Sequence, residues 1–325
     1  MREKQPLIIL TGPTAVGKTS LSIELAKRIG GEIISADSMQ VYRGMDIGSA
    51  KVTKEEMQGV PHYLIDEFEP WEEFHVVKFQ EYAKRYIRQI SEKGKIPILA
   101  GGTGFYIQAV LYDIDFTENG GDTNYRTFLQ EIAREKGAQA LHEMLRTVDP
   151  DSAEVIHANN VKRVIRALEY YHETGEPISK HNEQERAKES PYRFAYFVLN
   201  DARDTLYQNI DLRVDEMMQA GLLDEVRRLR ENGCTRDLVS MQGLGYKEMI
   251  DYLDGKYDLT EAVRVLKRDT RHFAKRQLTW FRRERDVVWL DKQSFGHDRR
   301  KLLGYMMEVL KEKGIAKENG NETVI

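Results

Sequence analysis

The chain has 325 residues, 41% hydrophobic and 31% charged, with a formal net charge of −4 at pH 7. That length allows a large core plus a smaller second domain, and no apolar run approaches the roughly 20 residues of a membrane span. Met1-Arg2-Glu3-Lys4 runs straight into a strand pattern without a signal peptide, and the lone Cys234 excludes an intramolecular disulfide or a cysteine-built zinc site, so a cytoplasmic protein with no membrane partner is expected.

Leu7-Ile8-Ile9-Leu10 reads as the first strand, and a helical pattern runs from Ser20 to Ile29. Between them lies Gly12-Pro13-Thr14-Ala15-Val16-Gly17-Lys18-Thr19, the G-x-x-x-x-G-K-T spelling in the strand-loop-helix context that gives it meaning. Gly12 and Gly17 let successive N–H groups turn toward phosphate oxygens, and the following helix adds its positive end. Lys18 supplies a point charge, and the Thr19 hydroxyl is a ligand for Mg²⁺ bridging two phosphates. Short apolar runs recur at Glu32–Ser35, Tyr63–Ile65 and Ile96–Ala100, with a helix over Val76–Ile90. Such alternation implies a parallel sheet covered by helices, with ligands at the carboxyl ends of its strands.

From Thr117 to Pro191 the strands stop. A loop at Asn119-Gly120-Gly121-Asp122 precedes helices over about Tyr125–Lys136, Ala138–Val148 and Val161–Thr174, and a polar run covers His181–Ser190. Phe194–Leu199 then resumes the sheet, helices follow over about Leu206–Ala220, Leu223–Glu231, Lys247–Leu253 and Thr260–Arg283, and Val287–Leu290 is a last strand. The tail Glu318–Ile325 is short and polar, with disorder its default. The expected fold is α/β, a phosphate-loop NTPase-like parallel sheet flanked by helices. Residues 1–116 and 192–325 form the catalytic core, and a small all-α domain is inserted over 117–191.

Asp37 directly follows the second strand, where a carboxylate serves as general base, as an outer Mg²⁺ group or as a helix N-cap. The fourth strand ends in Ala100-Gly101-Gly102-Thr103-Gly104, bringing backbone close to a ligand and leaving the Thr103 hydroxyl as polar handle, or simply making a tight turn. It lacks the Walker B aspartate that nucleotide hydrolysis uses, and Asp66 is the alternative carboxylate. Arg264–Arg285 holds nine Lys or Arg against two acids. At about 100° per residue Arg264, Arg268, Arg271, Lys275 and Arg282 share a stripe opposite Ala262, Leu266, Phe273 and Trp280. Acids are too scarce there for intrahelical pairing to neutralise the stripe. Lys162, Arg163 and Arg166 form a second basic cluster, and two such surfaces suit an extended polyanion.

Taken with Asp37-Ser38-Met39-Gln40-Val41-Tyr42, Gly101–Tyr106, Arg163–Glu169, Gly245-Tyr246-Lys247-Glu248 and Lys275–Arg282, the phosphate loop resembles that of the bacterial tRNA dimethylallyltransferases, in order and over nearly the whole chain. Phe105 stands where Leu is commoner, and the zinc module of eukaryotic relatives is absent. The resemblance implies transfer of a dimethylallyl group from dimethylallyl diphosphate to N6 of adenosine 37 in the anticodon arm of tRNA, with Mg²⁺. Asp37 would take the N6 proton, Thr103 lie near the amine, and Lys18 and Arg213 meet the diphosphate. It further implies tRNA contacts from Asp37, Ser38, Met39, Gln40, Thr103, Arg126, Lys162, Arg163, Val164, Ile165, Arg166, Gln242, Gly245, Tyr246, Lys247, Lys275, Arg276, Gln277, Thr279, Trp280 and Arg282, with the insertion as a clamp on a monomeric enzyme. The rival readings are a phosphate-loop kinase of small molecules, a dimethylallyltransferase acting on free adenine nucleotide, and a non-catalytic RNA-binding module.

Overall fold

The computed structural model describes residues 4–116 and 123–316. The expected loop at 119–122, the expected domain boundary at 117 and the polar tail lie outside these residues. Six strands form one parallel sheet: β1 Gln5–Thr11, β2 Glu32–Ser35, β3 His62–Tyr63, β4 Pro97–Gly101, β5 Tyr192–Asn200 and β6 Val287–Asp291, in the spatial order β3-β2-β4-β1-β5-β6. The apolar runs mark these strands because a parallel sheet is covered on both faces. Leu7 to Leu10 of β1 are accordingly 0% exposed. With β4 on one side of β1 and β5 on the other, the phosphate loop leaves the sheet beside the ends of β2 and β4, where ligands of open α/β sheets sit.

The helices of the first part are α1 Lys18–Ile29, α2 Lys54–Met57, α3 Val76–Glu92 and α4 Gly104–Leu111. α1 begins at Gly17 and ends at Gly30, both left-handed, and the Gly30 N–H returns to Ala26 O as a C-cap. Tyr112–Ser190 forms a compact unit of its own, built in its described part from α5 Thr123–Glu135, α6 Gly137–Val148, α7 Pro150–Val155, α8 Val161–Thr174 and α9 Ile178–Ala187 around Leu129, Leu141, Leu145, Val164 and Leu168. Asp149 ties it locally, accepting from Ser152 N and Ser179 N at 3.0 Å each. Burial pushes its carboxyl up, but those hydrogen bonds outweigh it and hold the group below its usual range.

The remaining helices of the larger unit are α10 Arg203–Gln219, α11 Leu222–Glu231, α12 Tyr246–Leu253, α13 Leu259–Phe281 and α14 Arg299–Glu312. Asp258 starts α13 by accepting Glu261 N at 2.8 Å. Five helices lie outside the expected elements, the short α2 and α7 and three longer ones. α4 is nearly apolar all round, so it shows no stripe to read. α9 occupies much of the polar run His181–Ser190. α14 is not among the expected elements, although Leu302, Leu303, Met306, Val309 and Leu310 recur at helical spacing and are buried.

Candidate active site

The phosphate loop is shaped by what surrounds it. Gly12 has φ +147°, and a Cβ there would stand 2.2 Å from Leu199 O, so the loop can lie against β5 only with glycine. Ala15, at φ 61°, is a non-glycine residue in the left-handed region, the kind of strain that collects at functional loops. Lys18 is half-buried, and its Nζ donates to Pro13 O at 2.8 Å. Burial, then the positive field of Arg213, lowers its pKa to about 7, and Asp37 pulls the other way. Arg213, on α10, reaches Thr14 Oγ1 at 3.4 Å and is itself held below its usual range by burial. Two cations thus crowd each other beside the phosphate loop, an arrangement an anion would relieve.

Asp37 closes a turn rather than capping a helix. Its Oδ1 accepts from Met39 N at 2.8 Å and Gln40 N at 3.4 Å, closing a turn, while Oδ2 receives no hydrogen bond among the described residues. Asp37, Lys18, Arg213, Gly101 and Gly102 line one cavity of about 550 Å³ above the strand ends. Gln277 braces it. From α13 its Nε2 donates to Gly102 O at 3.0 Å, and its Oε1 accepts from Thr14 N at 2.9 Å, joining the two glycine-rich loops. Thr103 is not among the cavity walls. Its N–H donates to Ala36 O at 3.2 Å, its carbonyl starts α4, and its hydroxyl makes no hydrogen bond among the described residues.

Asp66 does not serve as the missing Walker B carboxylate. It takes a short ion pair from buried Lys51, which also reaches Asp46 and Tyr42 O, and it lies outside the cavity. Five expected tRNA contacts are buried: Val164 and Tyr246 are 0% exposed, Ile165 and Gln277 6%, and Gly245 is buried as well. The Tyr246 hydroxyl donates to Glu225 at 2.8 Å. Gln277 was legible as a bridge, since it follows Phe273 by four residues and precedes Phe281 by four, a polar group on a helix's apolar face.

The basic stripe is also more neutralised than a count of acids along its own helix implies. Arg264 pairs with Glu261 and Arg268 with Asp269, while Arg271 and Lys267 find Asp211 and Asp215 on α10. Lys275 and Arg282 are exposed and have no ion pair among the described residues. The same holds for Lys162, Arg163 and Arg166 at the start of α8. Arg126 forks onto buried Glu169 at 2.6 and 2.9 Å, and Lys247 lies near Glu248 and Asp269. Gln242 gives its amide to Arg236 O, and Thr279 its hydroxyl to Lys275 O. Met39 packs its sulfur against Gly243, beside half-exposed Ser38 and Gln40 and buried Gly245. Trp280 covers Gly104 and meets Phe105 edge to face at 6.2 Å, and the guanidinium of Arg276 lies 5.8 Å from the Phe273 ring.

Residues 40–284 match a family model described as IPP transferase. The chain is 66% identical to a tRNA dimethylallyltransferase of Lachnoclostridium phytofermentans over 96% of its own length and 100% of the relative's. It is 51% identical to one of Bacillus cereus over 96% and 97%. Among solved structures, the full-length tRNA isopentenylpyrophosphate transferase of Bacillus halodurans superposes with a TM-score of 0.72 at 47% identity, covering 96% of this chain and 98% of that one. A eukaryotic dimethylallyltransferase crystallised acting on tRNA superposes with a TM-score of 0.75 at 30% identity, covering 88% and 74%.

Proposed function

The chain belongs to the IPP transferase family, and from that premise we propose that it transfers a dimethylallyl group from dimethylallyl diphosphate to N6 of adenosine 37 in the anticodon arm of tRNA, releasing diphosphate. One observation carries the reading. A base carboxylate with an open oxygen, Asp37, lines the same cavity as Lys18 and Arg213, while β4 ends in glycines braced by Gln277 and brings no carboxylate. Such a site holds a diphosphate as leaving group without the parts that aim a water at a γ-phosphate.

The loop amides, Lys18 and Arg213 receive the diphosphate and stabilise the charge that develops on it. The N6 lone pair forms the new C–N bond as the C–O bond to diphosphate breaks, the bonding pair leaves with diphosphate, and Asp37 Oδ2 takes the N6 proton. An arylamine is a weak nucleophile, so holding it against the donor supplies much of the rate. Mg²⁺ fits the donor set: the Thr19 hydroxyl is exposed and without a hydrogen bond among the described residues, and Mg²⁺ usually takes one or two protein oxygens with water and phosphate for the rest. Held by Thr19, the ion would supply neutralisation of charge on the leaving diphosphate. Lys162, Arg163, Arg166, Lys275 and Arg282, exposed and without an ion pair among the described residues, meet the tRNA backbone, and adenosine 37 is extruded to reach the cavity. Among the described residues no helix is long and apolar enough to cross a membrane. A tRNA substrate argues for a cytoplasmic enzyme.

The test is incubation with labelled dimethylallyl diphosphate and Mg²⁺, offering tRNA or AMP. Label in tRNA at adenosine 37 is expected. Label in AMP alone makes the acceptor a free nucleotide, and turnover that needs ATP without prenyl transfer overturns the reading.

A further inference from the structure

Residues 45–51 form a loop that no regular element stabilises, yet it supplies Ser49 to the cavity wall. Beside the buried Lys51, which pairs with Asp46 and Asp66, one carboxylate holds its backbone. Glu225, 2% exposed in the first turn of α11, accepts from Asp46 N at 3.0 Å and Ile47 N at 2.8 Å through Oε2. Through Oε1 it accepts from Gly48 N at 3.1 Å and from the Tyr246 hydroxyl at 2.8 Å. Three successive N–H groups converging on one point form a nest that elsewhere captures a phosphate. Here the protein fills it with its own anion, and both oxygens are fully used.

The fit around this post leaves no slack. A Cβ on Gly48 would stand 2.6 Å from the Tyr246 ring, and one on Gly245, at φ +91°, would stand 3.5 Å from Gly48 Cα. From the loop the connection runs to the chemistry. Ala50 O accepts Gln40 Nε2 at 3.2 Å, Gln40 Oε1 accepts the Ser35 hydroxyl at 3.0 Å, and Gln40 N donates to Asp37 Oδ1 at 3.4 Å. Gly243 supports the same turn from the other side against Met39.

We propose that Glu225 and Tyr246 are positioning residues, a buried post that fixes loop 46–50 and, through Gln40, sets the direction of the Asp37 carboxylate. The segment 243–248 then serves the site from behind rather than by touching RNA with Tyr246. The inference rests on Asp37 being the base of the proposed transfer. Neither residue touches substrate, so their loss should slow the chemical step while leaving the phosphate loop and its affinity intact.

Two variants test it. Glu225→Gln turns an NH₂ toward donors on one side, and Tyr246→Phe removes a single hydrogen bond while keeping the ring. Amide hydrogen exchange at Asp46, Ile47 and Gly48 is measured without substrate, alongside kcat and KM for transfer and the thermal midpoint. In E225Q exchange should quicken about tenfold or more at these three amides but not in β1 or β4. Its kcat should fall about tenfold to a hundredfold with KM for dimethylallyl diphosphate within about twofold. Y246F should show the same pattern, weaker, and decides the matter alone if E225Q does not fold. Unchanged exchange, or quickened exchange beside a wild-type kcat, overturns the post, as does a loss of kcat matched by a general loss of protection across the sheet. Wild-type protein that transfers no prenyl group overturns the proposed function instead, whereas normal wild-type and variant transfer together overturn only this inference.

Discussion

Replacing Gln277 by Ala distinguishes a buried bridge from an RNA contact. The side chain is 6% exposed and joins Gly102 O to Thr14 N at 3.0 and 2.9 Å. Truncation strands one buried acceptor and one donor, each costing about 1–3 kcal/mol. Water entering the space recovers part of that, so a net loss of roughly 2–4 kcal/mol is expected. A catalytic unit of this size should then melt about 4–16 °C lower. The bridge also fixes the two glycine-rich loops against each other, so affinity for dimethylallyl diphosphate falls with stability. Gln277→Glu separates shape from charge. Its carboxylate still accepts from Thr14 but opposes Gly102 O with a lone pair and sets a negative charge beside the cradle, so its diphosphate affinity should fall further than that of Q277A. Thermal melts with and without dimethylallyl diphosphate, read beside tRNA filter binding, give the answer. A Q277A protein that melts within about 1 °C of wild type, binds the diphosphate normally and loses only tRNA would refute the bridge.

Asp37→Asn keeps the turn to Met39 and Gln40 but cannot take a proton, so transfer should drop roughly 10²- to 10⁴-fold with the melting point nearly unchanged; near-normal transfer would leave Asp37 a turn residue only. Lys18 titrates at about 7 in the free enzyme, lowered first by burial and then by Arg213. Its folded pKa lies below its unfolded one, so it costs stability most below pH 7, and that cost is relieved as pH rises toward the unfolded value. Lys18→Met should therefore stabilise the free protein at low and neutral pH while abolishing diphosphate-induced stabilisation. Titration calorimetry at about pH 8 in two buffers should show wild type taking up a proton as diphosphate binds; binding without uptake means that Lys18 is already charged. Neutralising Lys275 and Arg282 should flatten the dependence of log tRNA affinity on log salt by about one unit or less for each phosphate left unneutralised. Arg264→Ala should change it little, because Glu261 already holds that side chain; parallel slopes for all variants would place tRNA elsewhere.

What was legible follows from how local each signal is. The strands declared themselves because a doubly covered sheet needs continuous apolar runs, and the phosphate loop because its glycines answer to backbone geometry within one short segment. α8, Val161–Thr174, matches its expected span because Gly175 ends it in the left-handed region. The side chains of the site were harder. That Tyr246 points at Glu225 and Arg271 at Asp211 depends on partners 21 and 60 residues away, which only the packed fold brings together. A motif held by selection for its place in the core looks, in one sequence, like a motif held for contact with RNA. The resemblance to a tRNA-binding family led to the second meaning for Val164, Ile165, Tyr246 and Gln277, whereas burial selects the first.

The sheet order carries a consequence for synthesis. β1 is paired on one edge by β4 and on the other by β5, and Tyr112–Ser190 lies between those two partners in the chain. At about 5–20 residues per second a ribosome spends several seconds on that stretch. Throughout that interval the Leu7–Leu10 strand has its backbone donors and acceptors open along one side, an adhesive edge of the kind that recruits neighbouring chains. The helical unit between them has an apolar core of its own and offers that edge no strand, so nascent-chain aggregation should respond to anything that slows elongation between β4 and β5.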